Sequence, residues 1–150
     1  MRTRLTLTPS PGKSPSDPPF FLKLSSPMGI KFFLLVAAGG SCGSVLRALV
    51  GILMKSFLPW PTLVVNLGGA FLIGLLVKFS ENSANAESFR AFWIIGLCGG
   101  FTTFSTFGMD MVNFIKTGHW TGGLIYMSLN FFGTLLAIVI GFRTFSLISS

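Results

Sequence analysis

Charged residues are scarce in this sequence, and their scarcity excludes a water-soluble globular domain. Of 150 residues, only 10% are Asp, Glu, Lys or Arg, whereas 51% are hydrophobic. A soluble domain carries about 25% charged residues, so this short chain has too few charges to cover a surface that faces water. The composition therefore indicates a protein that is surrounded largely by lipid.

Cysteine and histidine are too few and too scattered for a metal centre or a catalytic group. Cys42 and Cys98 lie inside apolar segments, without metal-ligand spacing or the pattern of a secreted disulfide framework. We interpret both as small packing residues. His119, the sole histidine, falls in a link near a membrane boundary, where a solvated or capping role is expected. The sequence therefore gives no support for an enzyme.

The net charge of +7 does not indicate a nucleic-acid partner. Most of the cations lie outside the apolar runs, and no basic helix carries interleaved exposed aromatic residues. Cations beside apolar runs are typical of a membrane boundary, where lipid headgroups meet water. We expect membrane lipids, and no nucleic acid, among the partners.

Residues 1–27 differ from the rest of the chain, because prolines, serines and threonines dominate them. Such a segment buries too little apolar surface to fold, so we expect it to be disordered. Three explanations stay open: an upstream artefact with Met28 as the true start in place of Met1, a genuine flexible tail, or a basic targeting segment. The domain of interest is then residues 28–150.

Four apolar runs follow, and each is close to the roughly 20 residues that a membrane-spanning helix needs. Their approximate bounds are 31–54, 61–79, 89–115 and 121–142. The third run is the longest, and the pair Gly99-Gly100 is expected to break it. The sequence predicts an all-α integral membrane fold of four transmembrane helices with a break in helix three.

Lysine and arginine are distributed almost evenly over the two sides of the predicted membrane. With the amino terminus inside and Met28 as the start, the inner side carries four of them and the outer side two. These are Lys31, Lys78, Arg90 and Arg143 inside, and Lys55 and Lys116 outside. Since the positive-inside rule gives such a chain little preference, it is able to insert both ways and pair antiparallel with itself.

Polar residues inside the runs cost free energy in lipid unless they have partners. Thr62 and Asn66 lie four residues apart on helix two, and Tyr126, Asn130 and Thr134 repeat that spacing on helix four. The two stripes either line a narrow polar track or bond to each other across a helix interface, and the pattern alone slightly favours the second.

Arg47, late in helix one, also has two interpretations. Its long side chain either extends to the membrane interface or has a buried structural role.

The strongest local signal is the segment 96–107, GLCGGFTTFSTF. A helix break here frees backbone carbonyls, which suit a cation such as sodium. Phe104 and Phe107 lie three residues apart on one face, and two ring edges, which are positive, are able to stabilise a small anion. The alternative is that both are ordinary phenylalanines in lipid or in the core.

Four blocks of sequence resemble the CrcB/Fluc family of fluoride channels, over about residues 28–145. The blocks are Gly39–Arg47, Pro61–Gly74, Gly99–Phe107 and the looser Tyr126–Gly133. The resemblance implies a fluoride-selective channel of the inner membrane that exports fluoride from the cytoplasm by passive flux. It also implies an antiparallel homodimer with two pores, or a paralogous partner in place of the second copy.

The resemblance also implies the roles of particular residues. Phe104 and Phe107 correspond to the pore-lining aromatic box, and the backbone carbonyls of Gly99 and Thr102 to a central structural sodium site shared by two subunits. The other implied pathway residues are Asn66, Thr62, Tyr126, Asn130 and Thr134, and Arg47 matches the family arginine.

Two competing functions stay open. A small proton-coupled drug exporter needs a carboxylate deep in the membrane. The candidate is Asp110, but it falls late in helix three near Lys116, where pairing or exposure at the interface is expected. The other competitor is an accessory membrane protein, in which changes at Phe104 and Asn66 have no effect on ion flux.

Overall fold

The computed structural model describes residues 29–54, 59–81 and 83–148, and this part of the chain is helical. Helix α1 is Ile30–Leu53, α2 is Trp60–Glu81, and α5 is Trp120–Ile148. The third span, Ala86–Lys116, consists of α3 over residues 86–101 and α4 over Phe104–Lys116. The four spans are long and apolar enough to cross a membrane, which confirms the predicted all-α, four-span fold. The expectations for residues 1–27 and for Lys55 lie outside the described residues.

The helix bounds agree with the predicted runs, with one extension. Helix α2 begins at Trp60, so Pro61 occupies the first turn, where its missing N–H costs nothing. Helix α5 continues to Ile148, six residues beyond the predicted end of its run. Between α4 and α5, Gly118 adopts a φ of 72°, a left-handed conformation that glycine tolerates and that reverses the chain.

The third span breaks at Thr102-Thr103, so the prediction of a break at Gly99-Gly100 is wrong. Thr102 has φ −78° and ψ 158°, and Thr103 has φ −153° and ψ 120°, whereas Gly99–Phe101 remain helical. β-Branched threonine favours this extended backbone. Gly100 stays in the helix because α1 packs closely against it: a Cβ there would lie 3.1 Å from the Cα of Gly40.

The first part of the third span contains a feature that the sequence did not predict. Arg90–Cys98 form a nine-residue π-helical segment between Ala86–Phe89 and Gly99–Phe101. π-Helix is rare and is often found at functional sites. No local sequence signal distinguishes it from α-helix, which is why the prediction missed it.

Close backbone contacts hold the spans in two pairs. Gly39 and Gly43 of α1 are buried against α3, and a Cβ at Gly39 would collide with the carbonyl of Phe92. Gly74 of α2 and Gly141 of α5 meet in the same way, with a Cβ at either glycine falling 3.1 to 3.2 Å from the other's Cα. Small residues allow this approach where lipid supplies little hydrophobic drive.

Candidate functional site

The side chain of Asn66 holds the break in the third span. Its Oδ1 accepts a hydrogen bond from the backbone N–H of Thr103 at 2.9 Å, and its Nδ2 donates to the carbonyl of Thr103 at 3.2 Å. An extended residue inside a membrane protein loses its helical partners and needs replacements. One amide from α2 thus replaces both backbone partners that Thr103 lacks.

The side chain of Thr103 begins the next helix. Its Oγ1 accepts from the backbone N–H of Thr106 at 3.2 Å, which makes Thr103 the N-cap of α4. The same hydroxyl donates to Oγ1 of Thr106 at 3.0 Å, and it lies 3.2 Å from Oγ of Ser105. The hydroxyls at this helix start therefore form one connected cluster.

The two polar stripes of α2 and α5 meet at an amide pair. The Nδ2 of Asn66 donates to Oδ1 of Asn130 at 3.0 Å, and the Nδ2 of Asn130 donates to the carbonyl of Tyr126 at 3.1 Å. Thr62, Tyr126 and Asn130 are all buried at 6% exposure. Asn66, Asn130 and Tyr126 are therefore joined in one polar cluster next to the break, and Thr62 is buried one helical turn from Asn66.

Thr134 does not join this cluster. Its hydroxyl donates to the carbonyls of Asn130 and Phe131 on its own helix, at 2.7 and 3.0 Å. The hydroxyl is on the expected helix face, but its hydrogen bond is satisfied locally.

Aromatic rings form a continuous row beside the polar cluster. The ring centroids of Phe104 and Phe107 are 5.5 Å apart, and Phe107 stacks on Tyr126 at 5.6 Å with the planes 30° apart. Phe114 contacts the Tyr126 ring at 5.6 Å. Phe104 is 83% exposed on the protomer, so its ring projects from the end of the row. The row brings the two predicted phenylalanines together with the tyrosine of α5.

Asp110 bonds to the aromatic row and not to Lys116. The hydroxyl of Tyr126 donates to Oδ2 of Asp110 at 2.8 Å, and Asp110 is half-buried. The prediction that Asp110 pairs with Lys116 is therefore wrong for the described residues, whereas a position of Asp110 at the membrane interface stays a prediction. The reason is helical spacing: Phe107, Asp110 and Phe114 share the face of α4 that meets Tyr126.

The side chain of Arg47, from α1, also reaches the break. Its side chain is half-buried, and Nη1 donates to the carbonyl of Thr102 at 3.4 Å. The hydroxyl of Thr102 donates to the carbonyl of Cys98 at 3.0 Å. Of the two open interpretations of Arg47, this geometry favours the buried structural role. Gly99, whose carbonyl is the other one predicted to bind sodium, is exposed on the protomer.

Two residues of the site were not identified as such from the sequence. Thr103 precedes a helix whose third residue is Thr106, and a hydroxyl residue in that position is a common N-cap signal. Asp110 lies three residues after Phe107 and four before Phe114, a spacing that places it among the aromatic residues. This spacing is readable from the sequence, but Lys116 lies nearby in the chain and was expected to be the partner of Asp110.

Four membrane spans, with a third span that breaks around an asparagine from the second, define a small polytopic membrane protein with a polar site at membrane depth. The chain belongs to the CrcB family. The family model that is described as "CrcB-like protein, Camphor Resistance (CrcB)" matches residues 34–142, which include the second and third spans, most of the first and fourth, and the whole site. The chain is accordingly a multi-pass membrane protein.

Curated relatives cover nearly the same region. The chain is 39% identical over 119 residues to a protein of Marinobacter nauticus named "Fluoride-specific ion channel FluC", with 77% of this chain and 94% of the relative aligned. Proteins of the same name from Rhizobium meliloti and Thermus thermophilus are 42% and 38% identical over 113 and 120 residues. These alignments cover 72% and 77% of this chain and 90% and 94% of the relatives.

Proposed function

We propose that this protein is a fluoride-selective channel of the inner membrane and that it lets fluoride leave the cytoplasm passively. The observation that carries the proposal is the break at Thr102-Thr103, where uncharged amide and hydroxyl groups meet a row of aromatic rings. The names of the relatives support the choice of ion. Fluoride that enters as the neutral acid ionises in the cytoplasm, and the anion then leaves down its gradient.

The donors of the site are already engaged, which favours fast release of the ion. Both described donor contacts of the Asn66 amide are to protein oxygens, Thr103 O and Asn130 Oδ1. No buried side-chain donor or acceptor in the described residues lacks a partner. A passing anion must exchange an internal hydrogen bond for its own, so each step gains only part of the roughly 1.5–3 kcal/mol that a hydrogen bond to a charged group contributes. Shallow sites of this kind let an ion enter and leave.

The aromatic row supplies weak attraction without a full positive charge. Ring edges carry partial positive charge, and the exposed ring of Phe104 leaves its edge accessible. Helix α4 begins at Phe104, and its amino terminus adds about half a positive charge. Phe107 has one face covered by Tyr126, so its edge is the part available to an ion.

We also propose the antiparallel dimer, because the site is incomplete in one protomer. Phe104 is 83% exposed and Gly99 is exposed, although both belong to the segment 96–107, which carries the strongest local signal in the sequence. Ser41 and Ser44 lie exposed on α1, where a purely lipid-facing surface would carry apolar side chains. A second copy, or a paralogous chain, would cover this surface and complete a pore on each side.

A structural sodium ion fits the carbonyl groups at the end of α3. The last carbonyls of a helix lack intrahelical donors and carry partial negative charge. Gly99 lies in this last turn and Thr102 follows it as the extended C-cap residue, and neutral oxygens are the ligands of a hard monovalent cation. One protomer offers two such carbonyls, so the proposed site requires the matching pair from a second subunit. Arg47 already donates to the Thr102 carbonyl and would share it with the ion.

Fluoride efflux from proteoliposomes tests the proposal. Purified protein should release fluoride and hardly any chloride, and Phe107→Ile should suppress the release, because it removes a ring edge from the row. Phe132→Ile, which changes an exposed phenylalanine on α5 outside the aromatic row and the proposed dimer surface, is the matched control and should behave as wild type. Wild-type vesicles that retain fluoride would refute the channel. Efflux that requires a pH gradient would favour the proton-coupled exporter, since Asp110 is half-buried.

Removal of sodium tests the metal proposal separately. Dimer dissociation in detergent should be faster when sodium is replaced by N-methylglucamine, because the central carbonyls of the two subunits then repel each other. Potassium at the same ionic strength is the control for general salt effects. A dimer that is equally stable in all three cations would rule out the sodium site and leave the channel proposal intact.

A further inference from the structure

The hydroxyl of Tyr126 is occupied by a carboxylate. It donates to Oδ2 of Asp110 at 2.8 Å, and Tyr126 is the only tyrosine in the 150-residue chain. A phenolic hydroxyl has one proton to donate. While Asp110 accepts that proton, Tyr126 has none to offer to an anion in the pathway.

The aromatic ring of Tyr126 is fixed in place. Phe107 stacks on it at 5.6 Å, Phe114 contacts it at 5.6 Å, and the residue is 6% exposed. A ring between two others cannot carry its hydroxyl oxygen to a different place, so a competing acceptor must come to that oxygen. Asp110 is half-buried and less confined. If the hydrogen bond opens, the carboxylate is therefore the group that moves.

A carboxylate and fluoride compete for the same kind of donor, because both are small, hard anions that accept strong hydrogen bonds. Among the described residues, the hydrogen-bond partner of Asp110 is Tyr126 and not a lysine or an arginine. No lysine or arginine among residues 29–54, 59–81 and 83–148 therefore pairs with its carboxylate. An anion that approaches Tyr126 meets both a rival acceptor and a like charge.

We propose that Asp110 is a positioning residue that acts as a built-in competitor of fluoride for the Tyr126 hydroxyl. This inference rests on the proposed channel function. The carboxylate holds the hydroxyl when the pathway is empty and is displaced when fluoride arrives. It thereby weakens fluoride binding at the tyrosine and keeps the ion from being trapped there.

The proposal predicts how the concentration for half-maximal binding of fluoride changes. Asp110→Asn keeps the size of the side chain but replaces a charged acceptor with a neutral one, which forms a weaker hydrogen bond. Fluoride should then occupy Tyr126 at about tenfold lower concentration. Asp110→Glu keeps the charged acceptor and should stay near wild type. Tyr126→Phe removes the contested donor, so Asp110→Asn in that background should change fluoride efflux little.

The single tyrosine permits a readout that does not depend on flux. Protein labelled with ¹³Cζ-tyrosine should give one resonance from Tyr126, and sodium fluoride should shift it while sodium chloride should not. The titration yields the half-saturating concentration in wild type, Asp110→Asn and Asp110→Glu. If Asp110→Asn does not yield folded protein, Asp110→Ser, which is too short to reach the hydroxyl, tests the same expectation.

The outcomes separate this inference from the channel proposal. A lower half-saturating concentration in the Asn or Ser variant, together with a change in fluoride efflux that disappears in the Tyr126→Phe background, supports competition. If Asp110→Asn changes fluoride efflux equally with and without the tyrosine hydroxyl, Asp110 acts only by charge repulsion. This result would overturn the inference. A Tyr126 resonance that fluoride does not shift, in protein whose vesicles release fluoride, would also overturn the inference. Wild-type vesicles that release no fluoride would instead refute the channel itself.

Discussion

Replacement of Asn66 by leucine should destabilise the fold more than any other single change in the polar cluster. Leucine has the same branching and the same number of side-chain heavy atoms as asparagine but neither donates nor accepts hydrogen bonds. The substitution leaves three polar groups without their partner: the N–H and the carbonyl of Thr103, and Oδ1 of Asn130. Because Thr103 and Asn130 are 7% and 6% exposed, water has little access to these groups.

The size of the effect follows from the number of lost bonds. Hydrogen bonds between helices of membrane proteins average about 0.6 kcal/mol, so three of them set a lower bound of about 2 kcal/mol. Each buried group left unsatisfied costs about 1–3 kcal/mol in proteins generally, which raises the expected cost to as much as about 5 kcal/mol if the site relaxes in part. We expect a loss between these values.

Unfolding in mixed micelles, followed by tryptophan fluorescence, measures this loss as a change in the free energy of unfolding. Asn113→Leu is the matched control, because Asn113 is exposed near the end of α4. Asn66→Leu combined with Asn130→Leu should cost less than the two single changes together, since they share one hydrogen bond. A loss below about 1 kcal/mol for Asn66→Leu would refute the reasoning that Asn66 holds the break.

Two further changes test the break and the helix packing. Thr103→Val removes the N-cap of α4 and should lower the free energy of unfolding by about 1 kcal/mol, which is seen as a lower melting temperature. The control Thr117→Val, at an exposed residue, should not lower the melting temperature. Equal melting temperatures for the two variants would contradict the capping role. Gly43→Val places a side chain against the backbone carbonyl of Leu97 and should prevent recovery of folded protein in size-exclusion chromatography. Gly51→Val, whose added side chain meets open space, should be recovered in the same amount as wild type. Normal recovery of Gly43→Val would contradict the close α1–α3 contact.

The sequence predicted the spans well because hydropathy alone determines them. The runs starting at residues 31, 61, 89 and 121 became spans starting at Ile30, Trp60, Ala86 and Trp120. It predicted a break in the third span but misplaced it, because intrinsic propensity singles out glycine. In the structure, tight packing against α1 keeps Gly100 helical, and the side chain of Asn66 holds Thr103 extended. Both causes are tertiary contacts, which propensity does not contain.

The partner of Asp110 was missed for a related reason. Lys116 is close in sequence, and sequence proximity favoured it over Tyr126, which is 16 residues away. The face of α4 that carries Asp110 is occupied by aromatic residues, and only the turn at Gly118 brings α5 back against that face. Which side chains share a helix face is readable from spacing, whereas which helix covers the face is not.

The break joins the stability of the fold to the pathway, and this determines which mutations are informative about transport. Asn66 from α2 and Arg47 from α1 both bond to backbone groups of the break. In the proposed channel, a change at Asn66 should therefore lower fluoride flux both through misfolding and through loss of a donor. Phe104 is different, because its ring is 83% exposed on the protomer. A change from Phe104 to isoleucine should reduce fluoride flux while the free energy of protomer unfolding stays nearly constant, so this residue separates transport from folding where Asn66 does not.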